Sequence, residues 1–355
     1  MFELNNILRE NIKKLVPYSS ARDEYKGKEG VFLDANENSF GAPLSNGSQF
    51  CEGMNRYPDP LQLDVKRKLS KIKGLPVQNI FLGNGSDEAI DILFRAFCDP
   101  QKDNVIICPP TYGMYEVSAN INDVNVIKIP LLPESFQLDE ISILKAINEN
   151  TKIIFICCPN NPTGNGVSQN TIKVLLEKFK GVVVIDEAYI NFASYRSLIP
   201  ELLNYPNLVI LQTLSKAWGL AGLRVGMAFA SEVIVDVFNK IKPPYNINIV
   251  SQKIVLEALD NVQQVNEWIK KIVEDREKLS LDISRLSFVR KVYKSEANFI
   301  LVKVDDAKAL YNYLTLNQIV IRDRSRVTLC EGCLRITVGT GGENALVLEK
   351  LRKFK

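Results

Sequence analysis

Three short apolar runs in the middle of the chain, each followed by polar residues, limit the possible fold more than any other feature of the sequence. They cover residues 153–158, 182–185 and 208–211, and valine and isoleucine dominate them. Apolar runs without alternation predict strands that are covered on both faces. Because helical stretches separate the runs, residues from about 46 to 245 predict a mostly parallel sheet with helices on both faces, which is an α/β fold. Ligands of such sheets bind at the carboxyl ends of the strands.

Each of these runs is followed by a side chain with useful chemistry. Asn161 follows the first run, Asp186 ends the second and Lys216 follows the third. A lysine at a strand end suits a Schiff base with an aldehyde cofactor, and a carboxylate can keep a pyridine nitrogen protonated. Taken singly, the three residues also fit an ordinary turn, a helix N-cap and a surface lysine. Their occurrence at three strand ends favours one shared site.

A fourth strand end carries a glycine-rich turn. Residues 83–88 read Gly-Asn-Gly-Ser-Asp-Glu after a short apolar run. Ser86 or Asp87 would cap the helix that follows and leave backbone N–H groups for a phosphate. The turn is not a P-loop, because Gly-Lys-Ser/Thr is missing. It is not a good dinucleotide fingerprint either, because Glu88 stands in place of the third glycine.

These motifs resemble those of the pyridoxal-phosphate-dependent aminotransferases of fold type I. The lysine segment, Asp-x-Ala-Tyr at 186–189 and Asn-Pro-x-Gly at 161–164 mark the broad family. Asn-Glu-Asn at 36–38 and Arg-Tyr-Pro-Asp-Pro at 56–60 favour its histidinol-phosphate branch, although Ser39 stands where that branch usually has proline. Further matching segments, at 110–115 and 334–340, extend the resemblance over nearly the whole chain.

The resemblance implies a large domain with a mostly parallel, seven-stranded type of sheet, and a smaller α+β domain. The expected limits are an N-terminal arm at 1–45 that joins the small domain, a large domain at 46–245 and a small domain at 246–355. The pattern after residue 245 agrees, because a helical stretch at about 249–286 precedes apolar runs that predict strands, the middle one at 319–321. The family also implies a homodimer with active sites at the subunit boundary.

The resemblance gives a role to each matched residue. Lys216 would hold pyridoxal 5'-phosphate as a Schiff base and then serve as the base of the proton shift. Asp186 would keep the pyridine nitrogen protonated, Tyr189 and Asn161 would bind the ring oxygen, and Tyr112 would stack on the ring. The residues expected to bind the cofactor phosphate are Ser86, Asp87, Thr213, Ser215 and Arg224, with Tyr57 from the other subunit. For Tyr57 and Tyr112, plain packing is the alternative.

The substrate side depends on arginines, whose paired N–H groups suit both phosphate and carboxylate. Arg335 and Arg322 match the family's anion-binding arginines. Arg324 and Arg326 follow at alternating positions, so a strand would place them on the face of Arg322, and a solvated basic edge is the alternative. The remaining residues predicted near the substrate are Tyr18 for its phosphate, and Asn36, Glu37 or Tyr245 for its imidazole.

The activity implied by the resemblance is amino-group transfer between histidinol phosphate and 2-oxoglutarate, in histidine biosynthesis. Two alternatives share the fold, namely an aromatic amino-acid aminotransferase and a threonine-phosphate decarboxylase. A third alternative belongs to a different class, a regulatory module that binds pyridoxal phosphate without turnover. The sequence shows no DNA-binding segment or linker that would support the third.

Composition excludes several other classes. The 355 residues carry a net charge of only +3 and no histidine. The slight charge gives no reason to expect a nucleic-acid partner, and no apolar stretch is long enough for a membrane span. Without histidine, Ser-His-Asp hydrolysis is excluded, and a lone Cys-x-x-C at 330–333 is a poor metal site. Seven cysteines, an odd number, predict reduced thiols in a cytoplasmic protein.

Overall fold

The computed structural model describes residues 2–16 and 53–354, and its main feature is a sheet of seven strands. These strands are β1 (Ile80–Asn84), β2 (Asn104–Ile107), β3 (Asn125–Lys128), β4 (Thr151–Cys157), β5 (Val182–Asp186), β6 (Leu208–Thr213) and β7 (Val225–Ala230). They lie in the order β1-β7-β6-β5-β4-β2-β3. Only β7 runs against its neighbours, so the carboxyl ends of the other six strands share one edge.

Helices cover both faces of this sheet. Among the described residues before 245, the helices are α1 (Leu4–Ile7), α2 (Glu10–Lys13), α3 (Leu63–Lys73), α4 (Ser86–Phe97), α5 (Met114–Ile121), α6 (Glu140–Ala146), α7 (Gln169–Lys178) and α8 (Glu232–Ile241). Because side chains alternate along a strand, Val182 and Val184 of β5 belong to one apolar layer, and Val183 and Ile185 to the other. The sheet is therefore buried on both faces, which confirms the α/β fold predicted from the apolar runs.

The described part of the N-terminal arm packs on the large sheet's helices. Ile12 is buried in the same apolar layer as α4 and α8. Arg9 binds the Asp99 carboxylate at 3.1 Å, and its backbone N–H donates to the carbonyl of Ala96. Through these contacts the apolar side of α2 meets the large domain. Residues 17–45 of the predicted arm lie outside the described residues.

A second, antiparallel sheet forms the smaller unit. Its strands are β8 (Val289–Val292), β9 (Phe299–Val304), β10 (Arg322–Asp323) and β11 (Cys333–Thr337), in the order β10-β11-β9-β8. The helices of this half are α9 (Ile249–Ala258), α10 (Val262–Ser284), α11 (Ala307–Leu316) and α12 (Gly341–Lys353). The stretch predicted at 249–286 is thus two helices separated by residues 259–261. The strand expected at 319–321 was misplaced, because pairing with β11 begins only at Arg322.

Candidate active site

A cavity of about 810 Å³ lies at the edge where β4, β5 and β6 end. Asn161, Asp186 and Lys216 all line it, as expected from parallel strands whose carboxyl ends meet. The predicted residues found in its lining are Ser86, Asp87, Tyr112, Asn161, Asp186, Tyr189, Thr213, Ser215, Lys216, Arg224, Arg322 and Arg335. Strand topology therefore brings together residues that are far apart in the sequence.

Lys216 lies in the turn after β6, and its amine is directed over an aromatic ring. The Nζ atom is 5.8 Å from the centroid of the Tyr189 ring. Burial lowers the pKa of Lys216, the charge of Arg335 lowers it further, and Asp186 opposes both effects. A lysine with a lowered pKa spends more time as the neutral amine, which is the nucleophilic form.

Asp186 ends β5 as a buried carboxylate with two donors. The Tyr115 hydroxyl donates to Oδ2 at 2.7 Å, and the backbone N–H of Ala188 donates to Oδ1 at 3.0 Å. Burial raises the pKa of Asp186, whereas the bond from Tyr115 lowers it. The bond to Ala188 reaches its own turn, so Asp186 is not the N-cap of a helix, which was the alternative interpretation.

Tyr115 is the residue that sequence analysis missed. Its side chain is fully buried, and its ring stacks on Phe155 with centroids 4.8 Å apart. It belongs to the segment Pro-Thr-Tyr-Gly-Met-Tyr, which carried part of the family resemblance, but only Tyr112 of that segment received a role. A second tyrosine three residues after the first, in the first turn of helix α5, is the signal that could have found it.

Tyr189, Asn161 and Arg335 form a chain of polar contacts across the cavity. Arg335 Nη1 donates to Asn161 Oδ1 at 2.6 Å, and Asn161 Nδ2 lies 3.5 Å from the Tyr189 hydroxyl. Burial raises the pKa of the Tyr189 phenol, while the charge of Arg335 acts in the opposite direction. The contacts join the large sheet to β11, so both halves of the chain contribute to one site.

The glycine-rich turn after β1 is approached closely by the guanidinium of Arg224 and by the backbone of β7. A methyl group on Gly85 would lie 2.5 Å from Nη2 of Arg224, and one on Gly226 would lie 2.1 Å from the backbone nitrogen of Ser86. Gly85 also has a positive φ of 79°. Its N–H donates to the carbonyl of Arg224 at 2.7 Å, which fixes the turn to the start of β7.

Helix α4 begins at this turn, but not as the sequence suggested. Its N-cap is Gly85, with no capping side chain, and Ser86 and Asp87 are its first two residues. The prediction that Ser86 or Asp87 caps the helix was wrong, because the Asp87 carboxylate instead binds Arg224 and accepts a bond from the Tyr112 hydroxyl. A helix N-terminus whose N–H groups face a guanidinium is still suited to bind a phosphate.

One wall of the cavity is lined by four arginines. Arg322 and Arg335 belong to the small sheet, and Arg324 and Arg326 lie in the loop between β10 and β11. Arg322 and Arg335 are direct partners across β10 and β11. The strand ends at Asp323, so Arg324 and Arg326 do not continue a strand face as predicted. They reach the cavity through a turn in which the N–H of Val327 donates to the carbonyl of Arg324. The site therefore carries a concentrated positive charge.

Two predicted residues that the structure describes, Tyr57 and Tyr245, are not in this lining. Tyr57 is about half exposed and stacks on Tyr245, with ring centroids 4.4 Å apart. Tyr18 and Asn36 lie outside the described residues, as does Glu37. Within the described ranges, no group of three or more metal-ligating side chains is present, and no helix there is long and apolar enough to cross a bilayer.

A reactive lysine, a buried carboxylate and an arginine-rich wall at the edge of this sheet define an enzyme that acts on amines bearing an anionic group. The chain belongs to the aminotransferase class I and II family, whose sequence profile matches residues 30–351. That match covers both sheets and every cavity residue named above.

Curated relatives are similar over the whole chain. A histidinol-phosphate aminotransferase of Cytophaga hutchinsonii is 55% identical over 353 residues, covering 99% of each chain. One of Bacteroides thetaiotaomicron is 49% identical over 356 residues, covering 100% of each.

Solved structures agree on the fold. The histidinol-phosphate aminotransferase of Clostridium acetobutylicum has a TM-score of 0.78 at 25% identity, over 85% of this chain and 91% of that one. The enzyme of Sinorhizobium meliloti, in complex with pyridoxal-5'-phosphate, has a TM-score of 0.79 at 22% identity, over 97% and 96%.

Proposed function

We propose that the protein transfers an amino group between histidinol phosphate and 2-oxoglutarate, with pyridoxal 5'-phosphate as cofactor. Relatives about half identical over the full length carry the name of this activity. The observation that carries the proposal is the position of Arg322 and Arg335, side by side in the cavity that contains Lys216. Such a pair suits the phosphate of one substrate and the carboxylate of the other in turn.

The cavity residues fit the cofactor. Because Gly85 has no side chain, a space is left between this residue and Arg224 at the N-terminus of α4. This space, the phosphate cradle, suits a phosphate. Asp186 is placed to hold a proton on the pyridine nitrogen, and Asn161 with Tyr189 to bind the ring oxygen. When bound, pyridoxal phosphate supplies an electron sink for the carbon that loses its proton. Lys216 then carries that proton, because no histidine is available in this chain.

Assembly and location are further parts of the proposal. We infer a homodimer in the cytoplasm, in which Tyr57 reaches the cofactor phosphate of the other subunit. The 49% exposed side chain of Tyr57, away from the cavity of its own chain, supports this role. The six cysteines of the described residues are all unpaired thiols, which suits a reducing compartment.

The test of the proposed activity is single-turnover conversion of the bound cofactor by separate amino donors. Histidinol phosphate and glutamate should convert the cofactor rapidly, and phenylalanine or tyrosine should do so much more slowly. Threonine phosphate should give no carbon dioxide. A preference for an aromatic donor, or release of carbon dioxide, would contradict the proposed substrate and leave the lysine chemistry intact.

A further inference from the structure

Two guanidinium nitrogens in the cavity are buried without a partner. They are Nε of Arg324 and Nε of Arg335, among the few buried side-chain atoms of the described residues that make no hydrogen bond. Leaving a buried charged donor without a hydrogen-bond partner destabilises the folded protein. Arg335 is expected to bind the substrate's anionic group, but nothing so far explains why a second arginine holds the same kind of unpaired donor.

The backbone around Arg324 is firmly held. Its N–H donates to the carbonyl of Cys333 at 3.0 Å, directly after the end of β10. The acidic residue beside it is already occupied, since the Asp323 carboxylate accepts bonds from the N–H and the hydroxyl of Ser325. The arginine therefore enters the cavity from a fixed position, and none of the carboxylates in residues 2–16 and 53–354 pairs with it.

The acids that line the cavity are also engaged elsewhere. Asp87 binds Tyr112 and Arg224, Glu116 binds Lys128, and Asp186 accepts from Tyr115. Burial lowers the pKa of Arg324, and the charges of Arg335 and Arg322 lower it further. These three cations thus repel one another, and their repulsion would be relieved by an anion that the substrate brings.

We propose that Arg324 is a specificity-determining residue that favours a substrate ending in a phosphate over one ending in a carboxylate. The inference rests on the proposed function, and it identifies the side chain of the same site that selects the substrate class. A phosphate monoester carries close to two negative charges near pH 7, and a carboxylate carries one. Arg335 with Arg322 can serve either anion. The unpaired Nε of Arg324 can donate a hydrogen bond to the additional oxygen of the phosphate, and its guanidinium can balance the second negative charge.

The experiment compares Arg324→Gln, Arg324→Lys and Arg352→Gln holoenzymes with the wild type. Arg352 is matched to Arg324 in charge, but it is exposed on α12 and does not line the cavity. Arg324→Gln should slow the single turnover of histidinol phosphate on the order of tenfold to a hundredfold, and that of glutamate less than about threefold. Arg324→Lys should be intermediate, because it keeps the charge but loses the paired donors.

A binding measurement separates contact from general damage. Calorimetry with inorganic phosphate and with acetate should show weaker phosphate binding in Arg324→Gln, unchanged acetate binding, and a much smaller effect in Arg352→Gln. Equal losses for both donors, or equal effects of the two glutamine variants, would overturn the role of Arg324. Failure of the wild type to convert histidinol phosphate would instead reject the proposed function, and the inference with it.

Discussion

At the scale of single residues, the site depends on buried charges that are held in the right protonation state. Under the proposed function, Lys216 must be able to lose its proton, and Asp186 must stay ionised although burial raises its pKa. The neighbours of each residue act in the required direction, since Arg335 lowers the pKa of Lys216 and Tyr115 lowers that of Asp186. Two predictions follow from these contacts.

Lys216 should be the single attachment point of the cofactor. Borohydride treatment of the holoenzyme should fix pyridoxal phosphate to Lys216, and peptide mapping should locate it there. Lys216→Ala should still bind the cofactor through the phosphate contacts near Gly85, but turnover should fall by several orders of magnitude because the proton carrier is lost. A label found on another lysine would remove this assignment.

Tyr115 should act as a positioning residue through Asp186. Tyr115→Phe removes a hydrogen bond to a charged group, which is worth about 1.5–3 kcal/mol, so turnover should fall by about tenfold to a hundredfold. The pKa of Asp186 should rise in this variant. Infrared spectra of the cofactor-free protein, recorded against pH, report the protonated carboxyl directly. An unchanged titration with reduced activity would show that Tyr115 has only a packing role.

The site residues at strand ends could be predicted from the sequence, whereas a residue that binds one of them could not. Lys216, Asp186 and Asn161 stand out because each polar side chain comes just after an apolar run has ended. Tyr115 lies in a helix, and its hydroxyl meets Asp186 only after the chain has folded. The roles of the cavity residues toward cofactor and substrate remain predictions until the variants are measured.

At the scale of elements, the proposed phosphate cradle depends on the close contact between β7 and the start of α4. Gly226→Ala would force a methyl group to within 2.1 Å of the Ser86 nitrogen. We expect a loss of about 1–3 kcal/mol in the free energy of unfolding and weaker cofactor binding. Urea denaturation and cofactor titration measure the two effects.

Gly222→Ala is the matched control for this change. Gly222 lies four residues earlier, has an ordinary φ, and a methyl group there would meet nothing within 4 Å. Its stability and cofactor affinity should stay near those of the wild type. If both variants behave alike, the close approach at Gly226 has no energetic importance.

The elements themselves were predictable where apolar runs were long. Strands β4, β5 and β6 of the large sheet were found because four or more apolar residues follow one another in each. The edge strand β10 was misplaced, because a two-residue strand has no periodicity and is defined only by its partner β11. The packing of α2 on the large domain also depends on distant residues, which a local pattern does not contain.

At the scale of the whole molecule, the family assignment and the α/β fold predicted from the sequence are confirmed, whereas the dimer remains a proposal. Lys216→Ala and Tyr57→Ala subunits should each have low activity alone. If Tyr57 acts across the interface, a mixed dimer contains one site with both changes and one with neither. Activity should then recover to about a quarter of the wild type at equal mixing, when half of the dimers are hybrids. No recovery after demonstrated subunit exchange would place each site within one chain.

The crowding of Arg322, Arg324 and Arg335 has a consequence for heat resistance. Cations held together by the fold repel one another, so the arrangement that selects a phosphate should weaken the folded state in phosphate-free buffer. Arg324→Gln should therefore melt at a higher temperature than the wild type in that buffer. Phosphate at a hundred times its dissociation constant stabilises a protein by about 2.7 kcal/mol, so its addition should reverse the order. Selectivity at this wall would then be maintained at the expense of thermal stability.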